Sequence, residues 1–201
     1  MPLAPKPPVT YRDGVLEAWL ASQRAQMADR LIPLPLRGGR ILDLGCGATP
    51  LFLARTTFRE KYGIDLAPHG FEAERGIVLR TMDLKRHSAL PFRPDYFDAV
   101  TMLAVLEHVE PEAVPTLFAE VRRVLKPGGR FVLTTPCPWA GPLLRIMAGL
   151  GLVSAQGVAE HTRTYHRATV TALLVQEGFE RVKMRTGYFE LCLNSWAYAE
   201  K

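Results

Sequence analysis

The sequence predicts an α/β fold in which a mostly parallel β-sheet carries helices on both faces. Three observations support this prediction. Short apolar runs typical of buried strands alternate with stretches whose apolar residues recur at helical spacing. Two strand-like runs close the chain without a helix between them, which predicts a terminal hairpin. The 201 residues, of which 48% are hydrophobic and 22% charged, suit one domain with its own core.

The first part of the chain predicts an arm followed by a helix. Residues 1–12 are rich in proline and predict an extended arm outside the single domain of residues 13–201. From Asp13, whose side chain suits an N-cap, apolar residues recur about every 3.6 positions. Pro33 and Pro35 end this pattern, so we predict an N-terminal helix within residues 13–36.

The central part of the chain supplies the predicted parallel strands. Five apolar runs are predicted to be buried strands: Arg40–Leu44, Tyr62–Ile64, Ile77–Met82, Phe97–Met102 and Arg130–Thr134. The clearest helix between them is Glu112–Leu125, which follows Pro111 and is closed by the Lys-Pro-Gly-Gly segment at 126–129. A helix between two strands returns the chain to the same edge of the sheet, so parallel pairing is expected.

The pattern becomes irregular after Thr135. Residues 137–160 are predicted to be an insert, and its apolar, glycine-interrupted part, Trp139–Val153, predicts either a lid or an extra helix. Ala168–Gln176 predicts a further helix. The last two predicted strands and the turn residue between them are Phe179–Arg185, Glu190–Ala199 and Gly187.

The sharpest local signal is a glycine loop after the first predicted strand. Asp43-Leu44 runs into Gly45-Cys46-Gly47, and Pro50 opens the next helix. Glycines at such a turn let the backbone come close to a ligand, and the first N–H groups of a helix point toward it. Asp65 lies 18 residues beyond Gly47 at the end of the second strand, where a carboxylate can accept both hydroxyls of a ribose.

Two common nucleotide motifs do not fit this loop. A dinucleotide fingerprint needs a third glycine at the position of Pro50, so NAD is disfavoured. A phosphate-binding P-loop needs Gly-Lys followed by Ser or Thr, and the sequence has none here.

The order of the motifs along the chain resembles that of the class I S-adenosylmethionine-dependent methyltransferases, in the branch with the type 11 domain. The resemblance spans about residues 15–185. The matching segments are Asp43-Leu44-Gly45-Cys46-Gly47, Tyr62-Gly63-Ile64-Asp65-Leu66, Asp83-Leu84, Leu90-Pro91-Phe92, Phe97-Asp98-Ala99-Val100, Val105-Leu106-Glu107-His108-Val109 and Leu125-Lys126-Pro127-Gly128-Gly129-Arg130. The chain departs from the family at Thr49, where relatives often continue with a further glycine. The Cβ of Thr49 is expected to hold the loop farther from the cofactor.

The resemblance implies both an architecture and a cofactor. The architecture is a Rossmann-like, doubly wound sheet of seven strands in the order 3-2-1-4-5-7-6, with the last strand antiparallel. The cofactor is S-adenosylmethionine, with S-adenosylhomocysteine as its product. The cofactor-binding residues that the resemblance implies are Asp43, Gly45, Cys46, Gly47, Asp65, Leu66, Asp83, Leu84, Leu103 and Ala104. Asp65 is expected to bind the ribose, Asp83 the adenine and Asp43 the methionine ammonium, with helix capping or loop support as the alternatives.

Two histidines are candidates for a catalytic base. His108 follows Glu107 near the end of the fourth strand, and His161 occupies the position of a histidine that relatives place beneath a substrate lid. Each has a structural alternative, His108 as a tie between loop and helix and His161 as an anchor of the lid. Arg24 is either a partner of the cofactor's carboxylate or an exposed helix arginine. The sequence contains no cluster with metal-ligand spacing.

The function implied is methyl transfer from S-adenosylmethionine to oxygen, nitrogen or carbon of a small, partly apolar acceptor. In-line displacement requires that acceptor, methyl and sulfur are aligned and that water is excluded, and a hydroxyl acceptor also requires a base. Two alternatives stay open. An RNA or other nucleic-acid methyltransferase would suit the net charge of +5, but Leu103–Leu106 stands where an Asn/Asp-Pro-Pro-aromatic motif is needed. A non-catalytic, cofactor-binding subunit would suit the Thr49 departure.

Composition also bears on partners and compartment. The cysteines Cys46, Cys137 and Cys192 form no CxxC pair, which favours a reducing compartment. No apolar run reaches the roughly 18 residues of a membrane span and no apolar leader opens the chain, so we expect a cytoplasmic protein. The apolar residues of 139–153 predict either contact with a membrane or lipid-like substrate, or a helix packed on the sheet edge. The expected partner is a small-molecule acceptor rather than nucleic acid, and the oligomeric state is left open.

Overall fold

The computed structural model describes residues 16–66, 76–84, 89–154 and 163–201. Within them the chain forms a seven-stranded sheet of order β3-β2-β1-β4-β5-β7-β6. The strands are β1 (Arg40–Leu44), β2 (Glu60–Asp65), β3 (Ile77–Thr81), β4 (Phe97–Leu103), β5 (Leu125–Pro136), β6 (Met184–Phe189) and β7 (Asn194–Glu200). β7 runs antiparallel to its neighbours β5 and β6, and the other neighbouring pairs are parallel. The predicted strand order and the antiparallel last strand are confirmed.

Five α-helices lie in the part of the chain that the structure describes. They are α1 (Glu17–Leu31), α2 (Leu51–Arg55), α3 (Val114–Val124), α4 (Gly141–Gly149) and α5 (Arg167–Gln176). The last helical residue of α1 precedes Pro33, and α2 begins directly after Pro50, as the proline positions predict. None of the described helices has both the length and the apolarity needed to cross a membrane.

The helices lie on both faces of the sheet, because successive residues of a strand point to opposite faces. Ile41 of β1 belongs to a buried cluster that includes Ala28 of α1 and Phe52 of α2. The next residue, Leu42, belongs to a second cluster that includes Phe118 of α3 and residues of α5. The sheet is therefore doubly wound, and its strands end at one common edge where loops meet.

The terminal hairpin differs from the prediction. Arg181–Lys183 form a short 3-10 helix within the first predicted strand, and β6 begins only at Met184. Gly187, predicted as the turn, lies inside β6 opposite Trp196. A Cβ on Gly187 would lie 2.5 Å from the Trp196 ring, so the glycine accommodates the indole rather than a turn. The predicted turn position was wrong.

The observed turn between β6 and β7 consists of residues that are not glycine. Glu190, Leu191 and Cys192 all have left-handed backbone, with φ of 51°, 54° and 66°. Left-handed conformations are costly for residues with a Cβ, so sequence composition gives no signal for a turn here. Other boundaries also move: β5 begins at Leu125, five residues earlier than predicted, and a 3-10 helix at Leu34–Gly38 follows α1.

Some predicted features lie outside the described residues. These are the arm of residues 1–12, the helix start at Asp13 and the last part of the predicted insert, 155–160. The described part of the insert contains α4, preceded by a short 3-10 helix at Pro138–Ala140.

Candidate functional site

The glycine loop lies at the carboxyl end of β1, between the ends of β2 and β4. The N–H groups of Gly45 and Cys46 both donate to the carbonyl of Ile64, at 2.8 and 3.1 Å. Gly45 has φ of 72°, and a Cβ on it would lie 2.2 Å from a methyl group of Val105. Only glycine fits there, because the loop passes directly beneath the segment that follows β4.

Asp65 at the end of β2 is bound to the same loop. The N–H of Gly47, a residue with φ of 75°, donates to Asp65 Oδ2 at 2.8 Å. The carbonyl of Asp65 accepts the N–H of Met82 at 2.9 Å, which brings the segment after β3 to the same place. Asp83 in that segment is half-buried, and Leu84 is buried in the core. The predicted residues of the three strand ends are therefore neighbours.

Asp43 is a buried carboxyl beneath the loop. The hydroxyl of Thr101 donates to its Oδ1 at 2.6 Å. Burial raises the pKa of Asp43 from 3.8 to about 7, the Thr101 hydrogen bond opposes this shift, and the negative charge of Asp65 adds to it. A buried carboxyl whose ionisation is disfavoured by burial and by a neighbouring negative charge makes this end of the sheet suited to a cation.

Cys46 is held as a neutral thiol inside the loop. Its side chain is buried, its Sγ lies 3.6 Å from the carbonyl of Gly47, and a Cβ on Gly63 would lie 2.8 Å from that sulfur. Burial, reinforced by the charge of Asp43, raises the pKa of the thiol. Cys46 therefore packs inside the loop as a buried, neutral thiol, a state unsuited to nucleophilic attack.

The segment after β4 turns sharply beside the glycine loop. Leu103 ends β4 half-buried, and Ala104 follows with φ of 56°. The N–H of Ala104 donates to the carbonyl of Thr134 at 3.0 Å and to its hydroxyl at 3.1 Å, which stabilises this strained residue. Leu103 and Ala104, which the family resemblance implies as cofactor-binding residues, thus form an apolar wall at the end of β4.

A second buried carboxyl lies just beyond this wall. Glu107, in the 3-10 helix Leu106–His108, accepts the hydroxyl of Thr135 at 3.1 Å. Burial raises its pKa to about 7, and the charge of Arg24 on α1 partly opposes the shift. Arg24 is half-buried on α1. His108 is half-buried next to Glu107, and the other predicted base, His161, lies outside the described residues.

The sequence predicts His108 as a candidate base, but Glu107 was not predicted as a functional residue. The available signal was a glutamate inside the apolar segment Val105–Val109, directly after a buried strand. A carboxyl in that position is expected to be either paired or shifted in pKa.

Three further side chains outside the glycine loop carry buried polar atoms. Tyr165, Glu190 and Asn194 each bury an oxygen that has no hydrogen-bond partner among the described residues. Burial raises the pKa of Glu190, partly opposed by the charge of Arg24, and burial also raises the pKa of Tyr165. Buried polar atoms are nearly always paired, so unpaired ones mark places where a ligand can bind.

Comparison with known proteins finds similarity to methyltransferases over part of the chain. Residues 42–133 match the model of a family described as a methyltransferase domain. The "Ubiquinone biosynthesis O-methyltransferase" of Xanthomonas oryzae pv. oryzae is 36% identical over 112 residues, which cover 51% of this chain and 45% of that protein. The "2-phytyl-1,4-naphtoquinone methyltransferase" of Synechococcus elongatus is 36% identical over 119 residues, covering 54% and 50%. The chain spans about half the length of the curated relatives it matches.

Solved structures share the fold. An S-adenosylmethionine-dependent methyltransferase from Mesorhizobium loti has a TM-score of 0.68 at 24% identity, with 90% of this chain and 100% of that chain covered. Phosphoethanolamine N-methyltransferase 2 of Haemonchus contortus, in complex with S-adenosyl-L-methionine, has a TM-score of 0.60 at 16% identity, covering 90% and 52%. At these identities the likeness is one of fold.

Proposed function

We propose that the protein transfers the methyl group of S-adenosylmethionine to a small, partly apolar acceptor, because residues 42–133 match a methyltransferase domain and the order of motifs resembles the class I enzymes of the type 11 branch. The observation that carries this proposal is the contact between the glycine loop and Asp65. The hydrogen bond from Gly47 to Asp65 places a carboxylate beside a loop whose backbone can approach a ligand.

Each end of the cofactor has candidate partners among the residues at this edge of the sheet. We assign the ribose hydroxyls to Asp65 and the adenine to Asp83, with Leu66 and Leu84 beside it. The methionine part is assigned to the backbone of Gly45, Cys46 and Gly47 and to Asp43. Leu103 and Ala104 would contact the cofactor from the end of β4.

The charges at the site fit a cationic cofactor. S-adenosylmethionine carries a positive sulfonium and a positive ammonium group. A cation beside Asp43 would lower the pKa of that carboxyl below its value of about 7 and favour its ionised form. The free energy that burial costs the ionised Asp43 would then be recovered on binding.

The bound cofactor supplies a methyl group activated by its sulfonium. The chain positions the acceptor, excludes water and supplies a proton acceptor. The apolar wall of Leu103 and Ala104 excludes water from the end of β4. For a hydroxyl acceptor, we propose Glu107 or His108 as the base. A carboxyl with a pKa of about 7 is suited to this role near neutral pH. His161 stays a candidate from the sequence.

For the acceptor we propose a hydroxylated or quinone-type ring with an apolar substituent. The curated relatives named above carry ubiquinone and phytyl-naphthoquinone in their names. The buried oxygens of Tyr165 and Asn194, which have no partner within the described part of the chain, would bind the polar groups of such a ring. Nothing in this assignment requires nucleic acid.

The test is calorimetric titration with S-adenosylmethionine and S-adenosylhomocysteine. We expect binding by the parent protein and at least a ten-fold loss in Asp65→Ala, about 1.4 kcal/mol. Asp95→Ala is the matched control, because Asp95 precedes β4 at the opposite edge of the sheet, paired with Lys201 at 2.7 Å. Absence of binding by the parent, or equal losses in both variants, would overturn the cofactor assignment.

The acceptor is tested separately with cofactor labelled in its methyl group. We expect label in a hydroxylated quinone supplied with a short apolar chain, and none in RNA at matched salt. Labelling of RNA alone would overturn the acceptor class while leaving the cofactor assignment intact.

A further inference from the structure

An exposed apolar surface adjoins the candidate site. Trp139, Leu143, Ile146 and Leu150 are 46%, 41%, 60% and 69% exposed, and no residue of α4 is buried. Leu191 in the β6–β7 turn is 95% exposed. We call these five side chains the apolar patch. The alternative that α4 packs on the sheet edge does not account for so many exposed apolar side chains.

The patch is one surface although it comes from two segments. Trp139 Nε1 donates to the carbonyl of Cys192 at 2.9 Å, and the Trp139 ring lies 5.5 Å from that of Tyr188. The N–H of Cys137 donates to the carbonyl of Leu193 at 2.9 Å. These contacts fasten the start of the α4 segment to the β6–β7 turn.

The turn that presents Leu191 is strained. Three consecutive residues with left-handed backbone are held by a hydrogen bond from the N–H of Leu193 to the carbonyl of Glu190, at 3.0 Å. The side-chain amide of Asn194 donates to the carboxyl of Glu190 as well. Strained backbone persists where the surroundings enforce it, and here it holds a large apolar side chain in solvent.

Among the described residues, the exposed charged side chains near the patch are arginines. Arg145 is exposed on α4, and the Arg167 guanidinium lies 4.0 Å above the Tyr188 ring. Arg163 is exposed in the segment that leads to His166, whose ring lies 6.1 Å from that of Trp139. The acidic group in the turn, Glu190, is half-buried and not at the surface of the patch.

We propose that the apolar patch docks on the surface of an anionic lipid bilayer. Exposed aromatic and aliphatic side chains with arginines beside them are the combination that binds such an interface. The patch follows the carboxyl ends of β5 and β6, at the edge of the sheet that holds the glycine loop. Docking there places the site at the membrane surface and, if the proposed function is correct, gives it access to an apolar acceptor dissolved in lipid.

The experiment is flotation of the protein with lipid vesicles. One set is pure phosphatidylcholine, and the other contains phosphatidylcholine and phosphatidylglycerol in equal parts. We expect the parent to float with the anionic vesicles, and Leu191→Asp or Ile146→Asp to bind them about ten-fold more weakly. Val182→Asp is the matched control, because Val182 is 76% exposed and precedes β6 at the opposite edge of the sheet. It is expected to float like the parent.

Several results would overturn the proposal. They are a parent that floats with neither vesicle, a Leu191→Asp variant that floats as well as the parent, and equal binding to both lipids. Sedimentation equilibrium addresses another occupant: a parent dimer that Leu191→Asp dissociates would make the patch an interface between two copies. Cofactor titration of the same variants separates the two proposals, because we expect Leu191→Asp to bind S-adenosylmethionine like the parent.

Discussion

Replacement of Asp43 by asparagine is expected to stabilise the protein while it weakens cofactor binding. In the folded protein the pKa of Asp43 lies near 7 instead of 3.8, so its ionised form is disfavoured. As pH rises from about 4 to about 7, the unfolded chain loses this proton before the folded chain does, and stability falls. With about 1.4 kcal/mol for each pKa unit, the loss is on the order of 4 kcal/mol. Asparagine keeps the acceptor for Thr101 and carries no charge.

The assay is urea unfolding of parent and Asp43→Asn at about pH 4 and about pH 8. We expect similar stability at the lower pH and a variant several kcal/mol more stable at the higher one. Asp95→Asn serves as the control, because the Asp95 side chain is 53% exposed and its replacement is expected to matter little at either pH. Cofactor binding should show the opposite sign, with at least ten-fold weaker affinity in Asp43→Asn at the higher pH. A stability difference that does not change with pH would refute the reasoning about burial.

Three further predictions concern the glycine loop, the proposed base Glu107 and the proposed acceptor contact of Tyr165. Gly45→Ala places a methyl group 2.2 Å from Val105 at positive φ and should cost on the order of 3 kcal/mol in urea unfolding, whereas Gly47→Ala, where the space is open, should cost about 1 kcal/mol. Glu107→Gln should be more stable than the parent above pH 7, because the charge that burial disfavours is absent. If Glu107 is the base, the increase in methyl-transfer rate with pH near pH 7 should be absent in this variant. Tyr165→Phe removes a buried hydroxyl that has no partner among the described residues. It should raise stability by about 1 kcal/mol while increasing KM for the acceptor more than it lowers kcat.

Each of these has a result that would count against it. Equal losses in the two glycine variants would show that contact with Val105 is unimportant. A pH–rate profile of Glu107→Gln that coincides with the parent's would leave His108 as the described candidate for the base. An unchanged KM in Tyr165→Phe would remove that hydroxyl from the acceptor site.

The sequence was sufficient to predict the central strands and the glycine loop, because their signals are local, whereas the order of the strands was implied by the family resemblance. Buried strands such as Arg40–Leu44 are apolar throughout, and the glycine loop with Asp65 has a fixed spacing. The proximity of Asp65 to Gly47 follows from parallel neighbouring strands that end at the same edge. These features need no knowledge of distant contacts.

The features that could not be predicted depend on residues far apart in the chain. Glu107 has its raised pKa because the fold buries it against Thr135, with Arg24 near enough to act on it. The position of the β6–β7 turn depends on Trp196, which occupies the space above Gly187 and so assigns that glycine to a strand. In both cases the role of a residue depends on a contact with a residue that is distant in the sequence.

Alkylation of the buried thiol of Cys46 can report transient opening of the glycine loop. Because the sulfur is covered and its pKa raised, alkylation by iodoacetamide requires the loop to separate transiently from Gly63. Cys192 is exposed and should react without that event, which provides an internal reference within one molecule. The ratio of the two labelling rates measures the frequency of loop opening, and a ligand that closes the loop would lower it.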